Sequence, residues 1–125
     1  MIYLDTHITV WLFEGEIDVL SSKVINLLEQ QDLLVSPMVS LEMQYLYEAK
    51  RIRHTPAQIL QSLENSMNLQ ICDQPFGKVI QTAIEETWTR DPFDRVITAQ
   101  AKLSGSTLIS RDEKIQKHYK NCVWI

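Results

Sequence analysis

Short apolar runs alternate along this chain with longer stretches in which apolar residues return every three or four positions. The short runs, Ile2-Tyr3-Leu4, Leu33-Leu34-Val35, Leu69-Gln70-Ile71, Thr107-Leu108-Ile109-Ser110 and Cys122-Val123-Trp124, are the length and composition of buried strands. Between them the spacing predicts helices: from Thr6 through Ile8, Trp11 and Leu12, over residues 21–31 with Val24, Leu27 and Leu28 inward, and from Pro37 to about Arg51. Further helices are predicted from Pro56 to about Met67, from Pro75 through Ile84, from Pro92 to Gly105 and from Glu113 to Tyr119. Strands alternating with helices in so short a chain predict an α/β fold. Its expected form is one domain over residues 1–125, with a mainly parallel central sheet of four to five short strands and helices on both faces.

Right-handed crossovers bring the carboxyl ends of parallel strands to one edge, where ligands bind in open α/β sheets. Asp5 and Asp112 follow strands at that edge. Asp94 lies in the first turn of a helix that Asp91 is placed to cap, with Pro92 at its first position. Glu42 falls on the apolar stripe Val39, Glu42, Leu46, Ala49, far from the cap of its helix. A carboxylate there costs several kcal/mol when buried unpaired, which a metal or a cationic partner relieves. A plainer reading exists for the other acids: Asp91-x-x-Asp94 resembles a capping box, Ser110-x-x-Glu113 is a full one, and Asp5 or Thr6 stands where a helix cap is needed. Glu42 is the acid that helix starts leave unexplained.

Composition sharpens this picture in two places. The net charge of −4 and pI of about 5.3 argue against a protein that coats nucleic acid through bulk positive charge, although two divalent cations held by acids would cancel that charge. Cys72 and Cys122 are far apart, without C-x-x-C spacing or nearby histidines, and are expected to be buried, reduced thiols. Neither a signal-peptide pattern nor an 18-residue apolar run occurs in the sequence, which sets the expectation of a soluble cytoplasmic protein with no membrane partner. His7, His54 and His118 lack metal-ligand spacing and are expected at the surface or in packing, and Trp11, Trp88, Trp124, Phe13, Phe76 and Phe93 in the core or at dimer contacts.

Four carboxylates converging from four elements repel one another unless a cation lies among them. Oxygen donors without histidine or cysteine suit Mg²⁺ or Mn²⁺, and the matching chemistry is metal-assisted hydrolysis of a phosphodiester.

The set Asp5, Glu42, Asp94 and Asp112, with Thr6 after the first and Ser110 before the last, resembles the PIN-domain nucleases. The runs DPFDRVITAQA and TLISRDE resemble, more narrowly, the VapC-type toxins of toxin–antitoxin pairs. The resemblance spans nearly the whole chain. It implies a magnesium-dependent endoribonuclease acting on RNA, silenced by a cognate antitoxin and forming a homodimer. It also implies that Asp5, Glu42, Asp94 and Asp112 are the catalytic, metal-binding acids, with Thr6 and Ser110 holding them or a bound water. Asp91 is favoured as the helix cap, with an outer-ligand role as its alternative, and Arg95 and Arg111 face phosphate or antitoxin, or serve structure alone.

Two other readings remain open at this level. One is another Mg²⁺-dependent phosphohydrolase, although Asp5-Thr6-His7 lacks the second acid of an aspartyl phosphatase. The other is a catalytically silent PIN-like module whose acids bind a partner's basic side chains.

Overall fold

The computed structural model describes residues 1–124; Ile125, the last residue of the expected domain, lies outside the described residues. Five strands, β1 (Ile2–Leu4), β2 (Leu33–Val35), β3 (Gln70–Ile71), β4 (Thr107–Ile109) and β5 (Cys122–Val123), form one sheet in the order β3-β2-β1-β4-β5. All four pairings are parallel, with Tyr3 beside Leu34 on one side and beside Leu108 on the other. Ile2, Tyr3 and Leu4 point to alternate faces, yet none is more than 2% exposed, so both faces of the sheet are covered.

The coverings are α1 (Thr6–Glu14), α2 (Ser22–Gln30), α3 (Pro37–Glu48), α4 (Pro56–Met67), α5 (Phe76–Ile84), α6 (Pro92–Leu103) and α7 (Glu113–His118), with a 3-10 turn at Ile17–Val19. Their starts follow the capping chemistry of the sequence. Ser21, Ser36, Asp91 and Asp112 each accept a backbone N–H, and Thr55 with Gln58 closes a capping box ahead of Pro56. Gly15 ends α1 at φ +74°, a left-handed conformation that costs a Cβ-bearing residue strain.

Two sequence expectations shift. The helix from Pro37 ends at Glu48, three residues before Arg51, because the chain reverses through Lys50 at φ 61°. The box expected at Ser110 and Glu113 does not form: Asp112 caps α7 by accepting from the Ile115 N–H at 3.0 Å, which leaves Ser110 free for another task. The periodicity says nothing of how deeply α6 sits: it is buried continuously from Val96 to Ala101, polar Thr98 and Gln100 included. Among the described residues no helix is long and apolar enough to cross a membrane.

What positions the site is the strand order. β1 lies at the centre, the chain winds outward to β2 and β3, and it then returns to place β4 against the other side of β1. The crevice at the carboxyl ends of β1 and β4 is therefore a topological switch point, the place where open parallel sheets gather ligands.

Candidate active site

Asp5 leaves β1 and immediately caps α1, so it is fixed by two elements at once. Its Oδ1 accepts the Thr6 N–H at 2.8 Å, and its own N–H donates to the Ile109 carbonyl at 3.0 Å. Cap and site are thus one residue here, and the plainer reading of Asp5 is true without being complete.

Ser110 leaves β4 beside it. The hydroxyl released from capping α7 donates to Asp5 Oδ2 at 2.6 Å and accepts the Asp112 N–H at 3.0 Å, joining the ends of the two central strands. On the other side of Asp5, the Thr6 hydroxyl donates to Glu42 Oε1. Glu42 sits in the second turn of α3, half-buried, on the side of the helix that Val39 buries. A chain of hydrogen bonds therefore runs Glu42, Thr6, Asp5, Ser110, Asp112, and both hydroxyl residues are wholly buried within it.

Asp94 stands apart from that chain. It occupies the third position of α6, whose start is held by Asp91 Oδ1 accepting the N–H groups of Phe93 at 2.8 Å and Asp94 at 3.2 Å. Arg95 braces the same corner, its Nε donating to the Thr89 carbonyl at 2.8 Å, which gives it a structural task away from the cavity. Asp5, Glu42, Asp91, Asp94 and Asp112 together line one cavity of about 440 Å³, with His7, Trp11 and Arg111 completing its wall. All four acids singled out in the sequence meet there, and Asp91 both caps α6 and faces the same space.

Electrostatics follow from this crowding. Burial pushes the Asp5 carboxyl above the usual carboxylate range, opposed by the hydrogen bonds from Ser110 and Thr6. Burial likewise raises Glu42, opposed by the Thr6 hydroxyl and reinforced by Asp5 and Asp91. Asp94 is raised from 3.8 to about 7, first by burial and then by the negative charges of Asp91, Asp112, Asp5 and Glu42. Among the described residues no hydrogen bond to its own oxygens offsets those effects, and Asp94 shares with Asp5 and Glu42 a raised affinity for its proton.

A cation entering the cavity would relieve that repulsion, and the donors are hard oxygens of the kind Mg²⁺ and Mn²⁺ prefer. Among the described residues no three acidic, histidine or cysteine side chains stand close enough to enclose a bare ion. The open cavity between them suits an ion that retains much of its water, as Mg²⁺ does. On donor chemistry and charge the residues fit a hydrated divalent cation.

Sequence reasoning missed two features. His7 and Trp11, assigned to surface and packing, lie four apart on α1 and both line the cavity; the signal was their helical spacing directly after Asp5. Glu86, only 5% exposed, is a second buried carboxylate well outside the cavity. It accepts from Trp88 Nε1 at 2.7 Å and pairs with Lys102 Nζ at 3.2 Å, and no periodicity announces it.

Residues 2–121 match the PIN domain family. The fold is similar to that of VapBC2 from Rickettsia felis bound to a DNA fragment from their promoter, at 20% identity and a TM-score of 0.64 over 100% of both chains. It is also similar to a toxin–antitoxin complex from Klebsiella pneumoniae (17% identity, TM-score 0.67, 98% of this chain and 96% of that one). VapBC-1 from nontypeable Haemophilus influenzae is similar in turn, at 17% identity and a TM-score of 0.68 over 100% of this chain and 97% of the other. At such identities the likeness is one of fold. No curated protein matches the sequence.

Proposed function

This chain belongs to the PIN domain family, and from that premise we propose that it is a divalent-metal-dependent endoribonuclease of the VapC toxin type. One observation carries the reading: five carboxylates from four separate parts of the chain are gathered into one cavity at the switch point of the sheet. Nothing in packing requires so many acids in one place, and their mutual repulsion makes the metal-free site costly.

Bound Mg²⁺ or Mn²⁺ would supply water activation and charge neutralisation at the scissile phosphate. The protein's own contribution is position. Asp5 is locked by Thr6 and Ser110 so that its carboxylate cannot rotate away, and Glu42 is tethered to the same threonine. Asp94 faces them with no hydrogen bond to its carboxylate oxygens among the described residues, and a cation in the cavity would offset the burial and repulsion that raise its proton affinity. Asp112, held at the head of α7 through Oδ1, keeps its second oxygen for the cavity.

The similar solved structures are toxin–antitoxin complexes, which supports a cognate antitoxin as the partner that silences this chain. A homodimer belongs to the same proposal. Phe76, Ile80 and Ile84 fall four residues apart along one ridge of α5, beside the row of buried Val79 and Ala83, and Phe76 at 73% and Ile84 at 64% exposure extend that apolar side into solvent.

The test is growth and total-RNA end mapping after induction in a cell without the antitoxin, paired with cleavage by the purified protein with Mg²⁺ and with a chelator. The wild type is expected to arrest growth and create discrete RNA ends, with Asp5→Asn and Asp94→Asn each losing about 100-fold or more of the cleavage rate. Full cleavage by either folded variant, or by the wild type in chelator, refutes the reading.

A further inference from the structure

Three side chains in the cavity wall carry no carboxylate: His7, Trp11 and Arg111. The Arg111 guanidinium carbon lies 5.5 Å from the centre of the Trp11 ring. Beside so many acids an arginine is ordinarily drawn into an ion pair, yet among the described residues Arg111 makes none. It is exposed, and its position over the indole holds a positive charge at the rim of a negative cavity. The indole beneath it is braced, with Trp124 at 6.1 Å and His7 at 6.2 Å, each ring tilted against it.

A flat aromatic surface with one cation beside a negative cavity has specific chemical requirements of its ligand. A basic peptide gains from the acids but is repelled by Arg111, and an acidic peptide gains from Arg111 but is repelled by the acids. A nucleotide entering with a divalent cation satisfies both halves, because the cation among the acids offsets their repulsion of the phosphate, the guanidinium fork pairs with that phosphate, and the base is a neutral plane that stacks on indole or guanidinium. The base must be unpaired, since a base inside a duplex is already stacked on its neighbours.

We propose that Trp11 and Arg111 form a stacking shelf for one unpaired nucleobase flanking the scissile phosphate of RNA. This rests on the reading of the cavity as a nuclease centre and adds to it the two residues that grip the substrate. Arg95, tied to the Thr89 carbonyl, has no part in the shelf.

The experiment uses binding, so that it survives a failure of the cleavage reading. Full-length Asp94→Asn protein, in Mg²⁺, is titrated with a short labelled single-stranded RNA and with copies in which each base in turn is replaced by an abasic site. One abasic position is expected to weaken binding about tenfold, and adding Trp11→Ala is expected to weaken the intact RNA about tenfold while abolishing the penalty of that abasic site. Trp11→Phe is expected to retain most of the affinity. Because Trp11 also packs against Trp124, Arg111→Gln at an exposed position provides a second measurement, and it is expected to reduce the same abasic penalty. Abasic penalties unchanged by either substitution, or substitutions that alter antitoxin binding alone, overturn the shelf. Base-dependent binding through Trp11 without cleavage by the wild type sinks the nuclease reading and leaves the shelf standing.

Discussion

Replacing Asp94 with asparagine should make the metal-free protein more stable, by a margin that grows as pH rises from 3.8 and is complete above about 7. Asp94 is raised from 3.8 to about 7 by burial and by four neighbouring carboxylates. An acid whose folded pKa lies above its unfolded value keeps extra protons in the native state between those two values, so stability falls as pH rises through that window. Each tenfold difference in proton affinity corresponds to about 1.4 kcal/mol, which puts a ceiling of about 4 kcal/mol on the penalty above pH 7. The side chain is partly open to solvent, and screening brings a realistic figure to about 1–2 kcal/mol. Asparagine keeps the shape and removes the charge, losing roughly 0.5 kcal/mol of favourable interaction with the α6 dipole. Urea denaturation in chelator should therefore show Asp94→Asn more stable than wild type by about 1 kcal/mol at pH 8, close to 4 °C in melting temperature. The gap should narrow to roughly a third on moving to pH 5 and vanish below pH 4. Mg²⁺ should reverse the order, because wild type gains about 2.7 kcal/mol at a hundredfold excess over the dissociation constant and the variant gains less. A wild type that becomes more stable than the variant as pH rises from 5 to 8 in chelator would refute this account of the cavity.

The remaining predictions concern single contacts. Ser110→Ala removes both the donor to Asp5 and the acceptor for the Asp112 N–H in a fully buried position, and should cost about 1–3 kcal/mol by chemical denaturation. It should also raise the pH at which cleavage switches on, because the lost hydrogen bond favoured ionised Asp5; a pH–rate profile identical to wild type would contradict that role. Glu86→Ala leaves the Trp88 indole N–H and the Lys102 ammonium without their partner and should cost about 2–3 kcal/mol while leaving the cleavage rate of folded protein intact. A change in that rate would link α6 packing to the site. Cys122, pushed up to about 11 chiefly by burial, should resist thiol reagents at pH 8 until the protein unfolds, and rapid labelling of the native state would contradict its placement.

Sequence alone carried the architecture a long way. Apolar runs of two to four residues separated by capped, proline-opened helices are local signals, and the five strands and seven helices fall where those signals lie. The parallel order makes the carboxyl-end residues neighbours, so Asp5, Glu42, Asp94 and Asp112 were recognisable as a group before any coordinates. The limits of the sequence are equally local. Whether Ser110 caps a helix or orients Asp5 depends on a contact between residues 105 positions apart, and both uses satisfy the same hydroxyl. Trp11 and Arg111 are likewise ordinary in sequence, one a helical apolar residue and the other a charge after a strand, and only the pairing of β1 with β4 brings ring and guanidinium together. Periodicity records which face of an element is dry. The side chains that meet at the end of a sheet are decided by strand order, which hydrogen bonding between distant segments sets and no local pattern encodes.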